Sequence, residues 1–383
     1  MDTPFIYDKF VTGRNFIGRK EDCIILENLL LQGEHIAMYS PPKSGKMSVI
    51  QQTLFNMRME GKRFMVGQFS AMSVRTLESF LLRLGAAAMR TMAQTPQEFS
   101  SLVDTYLAGT HFVFDPARYS GFDEPVSLGW TPDEADVRAM LNLPFALSSA
   151  LGQKIILIID EFEMLMEFSE GESLLKAMEG VLRDNRASSP GCSFILTGSR
   201  YNAMKKIFEE QRYFYRLVEK FHLRPVSEKD ITDHVIRGFL SGGKVVDREL
   251  LLGMCKLFRN NLWYINHFVN ICDSLSKGYI VEATLLEALD CLVAIHEPRF
   301  KATMASLTTF QINYLKALLD GNVKCSSADV RSRYNLNSSA NVKRLREALV
   351  HKEVITFDEK DEPSLPDPLF EYWVRKYYFE MKV

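Results

Sequence analysis

Short apolar runs alternate with longer helical stretches through the first 225 residues. HIAMYS (35–40), RFMVGQFS (63–70), KIILIID (154–160), CSFILTGS (192–199) and FHLRPV (221–226) are rich in β-branched and aromatic residues, so each predicts a strand. Strand and helix in alternation is the order of a parallel sheet covered by helices, and five such runs predict a five-stranded α/β core. KIILIID is apolar without interruption, the pattern of a strand buried on both faces. Between the second and third runs, positions 108–133 hold three glycines and three prolines among aromatics, which predicts an irregular insertion. A lid, a protein contact surface and a packed connection without special role all fit it.

After Pro225 the pattern is helical. Ser227 through Asp230 has the Ser-x-x-acid form of a helix start, Gly242-Gly243 breaks that helix, and further helices run to about Phe300. The last segment predicts helices near 308–319, 326–333 and 338–350, then an extended VITF, an acidic turn, Pro363 and Pro366. Three helices followed by a β-wing is the order of a winged helix. The expected organisation is an α/β domain over 1–225, an all-α segment over 226–300 and a winged helix over 301–383.

Composition adds exclusions. Hydrophobic residues make up 46% and charged residues 25%, ordinary for a globular protein of 383 residues with more than one core. The 46 basic and 48 acidic side chains nearly cancel, so no global field recruits nucleic acid or an anionic membrane. The longest strongly apolar run, Ile155 to Ile159, is far below the roughly 18 to 20 residues of a membrane span. The start, MDTPFIYDKF, lacks a basic stretch followed by an apolar one, so no signal peptide is expected and the protein is read as cytoplasmic. Six scattered cysteines form neither a CxxC pair nor a zinc knuckle and are expected to be buried thiols. The seven histidines make no metal-ligand pattern, and His35 and His267, in apolar segments, are expected to be hydrogen-bonded core residues.

Candidate chemistry begins after the first strand. HIAMYS runs into Pro41-Pro42-Lys43-Ser44-Gly45-Lys46-Met47-Ser48 and then a helical stretch, the context of a phosphate-binding loop. Backbone amides of such a loop and the helix N-terminus form an anion site, to which a lysine, here Lys46, adds a compact cation. A stray SGK on a surface turn is the plain alternative. Against G-x-x-x-x-G-K-[ST] the sequence departs twice: Ser40 stands for the first glycine and Met47 for the hydroxyl residue. Magnesium wants oxygen ligands, so a thioether at position 47 does not replace the hydroxyl, and Ser48 points about 100 degrees away around the helix. A serine at position 40 would be strained if that place needed positive φ.

The third strand ends in Asp160 and Glu161. A central parallel strand delivers such a pair to the carboxyl edge where nucleotides bind, so Asp160 is the candidate magnesium ligand and Glu161 the candidate base for an attacking water. The fourth strand ends in Thr197, Ser199 and Arg200. Its hydroxyls are candidates to sense a γ-phosphate and Arg200 to neutralise developing charge, with an ordinary solvated strand end as the alternative.

Together with Phe16-Ile17-Gly18-Arg19, Asn261-Leu262-Trp263-Tyr264 and Asp367-Pro368-Leu369-Phe370 followed by Trp373, these motifs resemble the archaeal-type ATPases of the STAND branch of AAA-like P-loop proteins, abundant also in Bacteroidetes. The resemblance implies ATP with magnesium as cofactors, the stretch Lys43 to Ser48 on the phosphates, Gly18 and Arg19 beside the adenine and ribose, and a helical lid at 226–300. It implies a switch in which ATP favours an assembly-competent state, with a protein partner or a second copy of the chain to engage. The departures at Ser40, Pro42, Met47 and Leu262 weigh against fast hydrolysis, so the expected activity is weak turnover, with a catalytically dead scaffold as the alternative.

The third helix of the winged segment carries Lys343, Arg344, Arg346 and Lys352, a composition that fits phosphate contacts from 326–352. Yet 300–383 holds 13 basic and 11 acidic residues, so a solvated face on an interdomain module is favoured over a DNA reader. The aromatic tail from Phe370 to Phe379 is read as core or docking surface.

Overall fold

A computed structural model describes residues 4–122, 124–322, 324–358 and 360–382. The chain forms two compact units, one from 21–40 and 52–223, the other from 1–20, 41–51 and 224–383.

The first unit is built from α1 (Lys20–Gln32), β1 (His35–Tyr39), the part of α2 (Lys46–Met59) from residue 52 onward, β2 (Phe64–Ser70), α3 (Leu77–Met89), α4 (Pro96–Tyr106), β3 (Phe112–Phe114), α5 (Pro116–Phe122), β4 (Val126–Leu128) and α6 (Glu134–Leu151). It continues through β5 (Lys154–Asp160), α7 (Gly171–Asp184), β6 (Cys192–Gly198), α8 (Tyr201–Lys205) and β7 (Val218–Lys220). Five strands form one sheet in the order β2-β5-β6-β1-β7, every pair parallel. Every residue of β1 and β6 is buried, as is 155–159 of β5, which is why these sequences are apolar without alternation. β2, at one edge, exposes Gln68 and Ser70. Helix α3 lies close against it at Gly67, where a Cβ would stand 2.5 Å from the Ala87 carbonyl oxygen and from Leu157 Cδ2. Side chains cap the covering helices: Thr95 with Glu98, and Asp133 with Asp136, form reciprocal capping boxes at α4 and α6.

Two expectations need correction. The fifth strand is 218–220 rather than 221–226: Val218 to Lys220 pair with His35 to Ala37, the Phe221 amide donates to the Ala37 carbonyl at 2.8 Å, and the chain then leaves the sheet. Nor is 108–133 wholly irregular, because β3 and β4 pair antiparallel within it and α5 connects them.

The second unit contains α9 (Glu228–Ser241), β8 (Val245–Val246), α10 (Arg248–Leu257), α11 (Leu262–Leu275), β9 (Tyr279–Ile280), α12 (Glu282–Ala305), α13 (Thr309–Leu319), α14 (Ala328–Arg333), α15 (Ser339–His351), β10 (Thr356–Phe357), β11 (Pro363–Ser364) and α16 (Pro368–Trp373). Ser227 caps α9 by accepting from the Asp230 amide, and Gly242 follows its last turn. Helix α12 runs through position 300, so the junction expected there lies within a helix. β10 and β11 pair antiparallel as the wing. The core of this unit joins Phe5 and Ile17 from the N-terminal segment to apolar residues of the helices and the winged segment, with Phe370, Tyr372 and Trp373 buried in it. Tyr377 and Tyr378 are partly exposed. No described helix is long and apolar enough to cross a membrane, and all six cysteines are free thiols, five of them buried.

Candidate functional site

The loop between β1 and α2 turns on Lys43 (φ 64°) and Gly45 (φ 91°), so the left-handed positions are these two. Ser40, expected to be strained if it took the first glycine's place, has no positive φ. At Gly45 the positive φ would strain any residue with a Cβ, which would also stand 3.0 Å from Arg19 Nη1. Arg19 braces the loop from its own left-handed turn (φ 51°): Nη1 donates to the Ser44 carbonyl at 2.6 Å and Nε to the Arg224 carbonyl at 3.0 Å. Gly18 beside it packs on Val226, where a Cβ would fall 2.9 Å from Cγ1. Lys46 is the first residue of α2 and is buried, with Nζ 3.4 Å from the Pro41 carbonyl oxygen. Met47 follows it. The Ser48 hydroxyl oxygen accepts the Val11 amide at 3.2 Å, in keeping with its expected turn away from the loop's anion face.

Lys43 makes the loop's most specific contact. Its ammonium lies 3.2 Å from the centre of the Trp263 ring on α11 and 6.0 Å from that of Tyr264. Burial, then the Arg299 guanidinium, push it down to about 8. Behind these rings, the Tyr264 hydroxyl donates to Asp367 Oδ1 at 2.7 Å, and Arg299 Nη2 donates to Asp367 Oδ2 at 2.8 Å and to the Tyr264 oxygen at 2.9 Å. Asp367 also caps α16, accepting from the Leu369 and Phe370 amides. One chain of polar contacts thus links the loop, α11, α12 and the last helix. His267 differs from its expected hydrogen-bonded role: it stacks on Tyr7 at 4.2 Å, and its Nδ1 has no hydrogen-bond partner among the described residues.

The acids belong to the sheet. Ser40 and Asp160 stand at the carboxyl ends of β1 and β5, which flank β6. Asp160 Oδ1 accepts from the Thr197 hydroxyl and from the Glu161 amide at 3.1 Å. Glu161 is held in left-handed backbone (φ 55°, ψ 43°), a strained conformation for a residue with a Cβ, and its Oε1 accepts from the Ser199 hydroxyl at 2.9 Å. Arg200 pairs with Glu167.

Sequence reasoning missed Glu163. It is fully buried, its Oε1 accepts the Ser199 and Arg200 amides at 3.1 and 2.8 Å, and its Oε2 has no hydrogen-bond partner among the described residues. Burial and the neighbouring Glu161 push its carboxyl up to about 8. Gly198 makes room for it, because a Cβ there would lie 2.4 Å from Oε2. The signal was the third acid of Asp160-Glu161-Phe162-Glu163, which reads as the polar start of a helix.

In the winged segment, Arg346 pairs with Asp361 and lies 3.6 Å from the centre of the Phe357 ring, while Lys352 donates to the Ser306 carbonyl. Lys343 and Arg344 are exposed. Lys343 also pairs with Glu347 at 3.9 Å, so three of the four basic side chains are engaged within the module.

A family model described as a probable winged helix domain matches residues 298–376. No curated protein matches the sequence. Among solved structures, the chain is similar to a Walker-type ATPase of Pyrococcus abyssi, at 15% identity and a TM-score of 0.68, covering 97% of this chain and 99% of that one. It is also similar to the ORC2 protein of Aeropyrum pernix in its ADP form, at 12% identity and a TM-score of 0.54 over 99% and 98% of the two chains. The same protein in ADPNP-ADP complexes gives 12% and 0.53 over 93% of each. The fold is that of an archaeal-type P-loop ATPase carrying a C-terminal winged helix.

Proposed function

We propose that this chain is an ATP-binding switch with weak hydrolysis. The observation that carries the reading is the contact of Lys43 with Trp263 and the polar chain from there to Asp367, by which a phosphate-loop residue is tied to α11 and to the cap of α16. An anion drawn to the N-terminus of α2 competes for the Lys43 charge and so acts on that chain of contacts. The loop fits phosphates: a 14-residue helix starts at Lys46, and Gly45 leaves the backbone open. Lys46 and the amides of Ser44 to Ser48 would hold them, with Gly18 and Arg19 shaping the loop's flank. The fit to magnesium is poorer at this end, because Met47 offers a thioether and the Ser48 oxygen is engaged by Val11. Asp160 would be the protein ligand to magnesium, Glu161 would orient water, and Arg200 would act on developing charge after release from Glu167.

The similarity to an ORC2 protein known with ADP and ADPNP supports a nucleotide ligand. A protein partner or a second copy of the chain is the proposed recipient of the switch, in a cytoplasmic setting. DNA is the weaker partner, since Arg346 and Lys352 are engaged within the winged segment. Calorimetry with magnesium-ATP tests the reading: binding is expected for the natural chain and lost in Lys46→Ala, and absence of binding in both removes it.

A second reading, a pseudo-ATPase scaffold, is favoured by Met47 together with the engaged Ser48. Steady-state phosphate release separates the two. Turnover abolished by Glu161→Gln supports the enzyme; no turnover under any condition supports the scaffold.

A further inference from the structure

The sheet's amino-terminal edge, at the opposite end of the strands from Asp160 and Thr197, holds a cavity of about 440 Å³. Its wall comes from the end of α1, the first residues of β1, β5 and β6, and the turn before β6. His35 opens β1 there. The residue is more than nine-tenths buried, at 7% exposure, and Nδ1 accepts the Phe194 amide at 3.1 Å. An amide can only donate, so the ring must carry its hydrogen on Nε2. That N–H meets no acceptor among the described residues and is not sealed from solvent, and His35 is one of the residues that line the cavity. Burial, then Lys154, push the imidazole down to about 4, so it is a neutral donor near neutral pH.

Three cations line the same cavity. Lys154 Nζ donates to the Leu30 carbonyl at 2.6 Å and the Leu31 carbonyl at 3.1 Å, which closes the end of α1 and leaves one of its three protons unused. Neither Arg186 nor Arg216 has a carboxylate partner among the described residues, and Glu34 is the one acid in the lining. Exposed arginines on a rim are commonly just solvated. What sets this rim apart is the imidazole beside it: with Nδ1 fixed by the Phe194 amide, its Nε2–H is a donor of set direction on a residue that lines the cavity.

We propose that this cavity is a second anion site, for a compact phosphate-bearing small molecule, with Lys154, Arg186 and Arg216 supplying charge and His35 Nε2–H a fixed hydrogen bond. The volume exceeds that of bare phosphate and lies within the ~300–1,000 Å³ of small-ligand sites, so a diphosphate or a small phosphomonoester suits it. Both sources present the same terminal phosphate chemistry.

The test uses the full chain carrying Lys46→Ala, so that the phosphate loop is weakened as a competing anion site. Calorimetric titration with pyrophosphate is expected to show one site. Its affinity should fall at least about tenfold when Arg186→Ala and Arg216→Ala are added, both exposed positions, and recover in large part with Arg186→Lys and Arg216→Lys. A small phosphomonoester titrated in parallel tells which source binds tighter. No binding of either probe up to millimolar concentration, or an affinity indifferent to the two arginines, overturns the proposal.

Discussion

Lys43 sets its ammonium 3.2 Å from the centre of the Trp263 ring, so a residue of the phosphate loop rests on the indole face of α11. Such a contact is worth ~0.5–2 kcal/mol, more as water is excluded. A double-mutant cycle of Lys43→Met and Trp263→Leu is therefore expected to give a coupling in that range near pH 7, read by urea denaturation. The ammonium is pushed down to about 8, below the 10.5 of an ordinary lysine, so the coupling should shrink above pH 9 as the charge is lost. The folded chain then sheds its proton before the unfolded one does. Stability linked to this titration rises from about pH 8 toward 10.5 in the natural protein relative to Lys43→Met. A coupling that stays constant through that window would count against a charged contact.

Glu163 gives a pH dependence of opposite sign. Its carboxyl is raised from 4.5 to about 8 by burial and by Glu161, so the stability it contributes is full below pH 4.5 and lost as pH rises through about 8. Glu163→Gln keeps an oxygen for the Ser199 and Arg200 amides and removes the ionisable group. The variant should gain on the natural protein as pH rises from 5 to 9. Parallel stability curves would show that the carboxyl does not titrate in this range.

Gly67 and Gly180 should respond in opposite directions to alanine. At Gly67 a Cβ meets the Ala87 carbonyl and Leu157 within 2.5 Å, and backbone cannot yield as a side-chain end can, so Gly67→Ala should cost ~1–3 kcal/mol. At Gly180, inside α7, a Cβ meets nothing within 4 Å, and the helix should gain ~0.5–1 kcal/mol. Thermal unfolding of the two variants checks both signs.

Much of this was legible in the sequence because it is local. The apolar run of β5 and its terminal acids, the loop running into α2, and the three helices and wing of the last segment each declare themselves within a few residues. β7 did not. It is three residues with little burial, and pairing with β1, rather than composition, makes it a strand. The cluster of Lys43, Trp263, Arg299 and Asp367 was out of reach for another reason: its members are separated by long stretches of chain, and only the fold brings the rings to the lysine. Glu163 was visible as an acid but not as a buried one, since its burial depends on the absence of a side chain at Gly198, 35 positions later.

Met47 stands where a P-loop usually supplies a hydroxyl, at the second residue of α2. A thioether is soft and neutral, whereas magnesium prefers hard oxygen ligands, so the natural chain should bind ATP with little help from the metal. Met47→Thr restores an oxygen at that position without altering Gly45 or Lys46, and a single contact to a charged centre is worth about 1.5 to 3 kcal/mol. The variant should therefore tighten on ATP roughly ten- to more than hundredfold when magnesium replaces EDTA, with Met47→Leu behaving as the natural chain. Calorimetric titrations with and without magnesium read this directly. Phosphate release should rise in Met47→Thr alone, provided Glu161 is intact. If the natural chain already shows the full magnesium effect, another oxygen serves the metal, and the side chain at position 47 does not limit turnover.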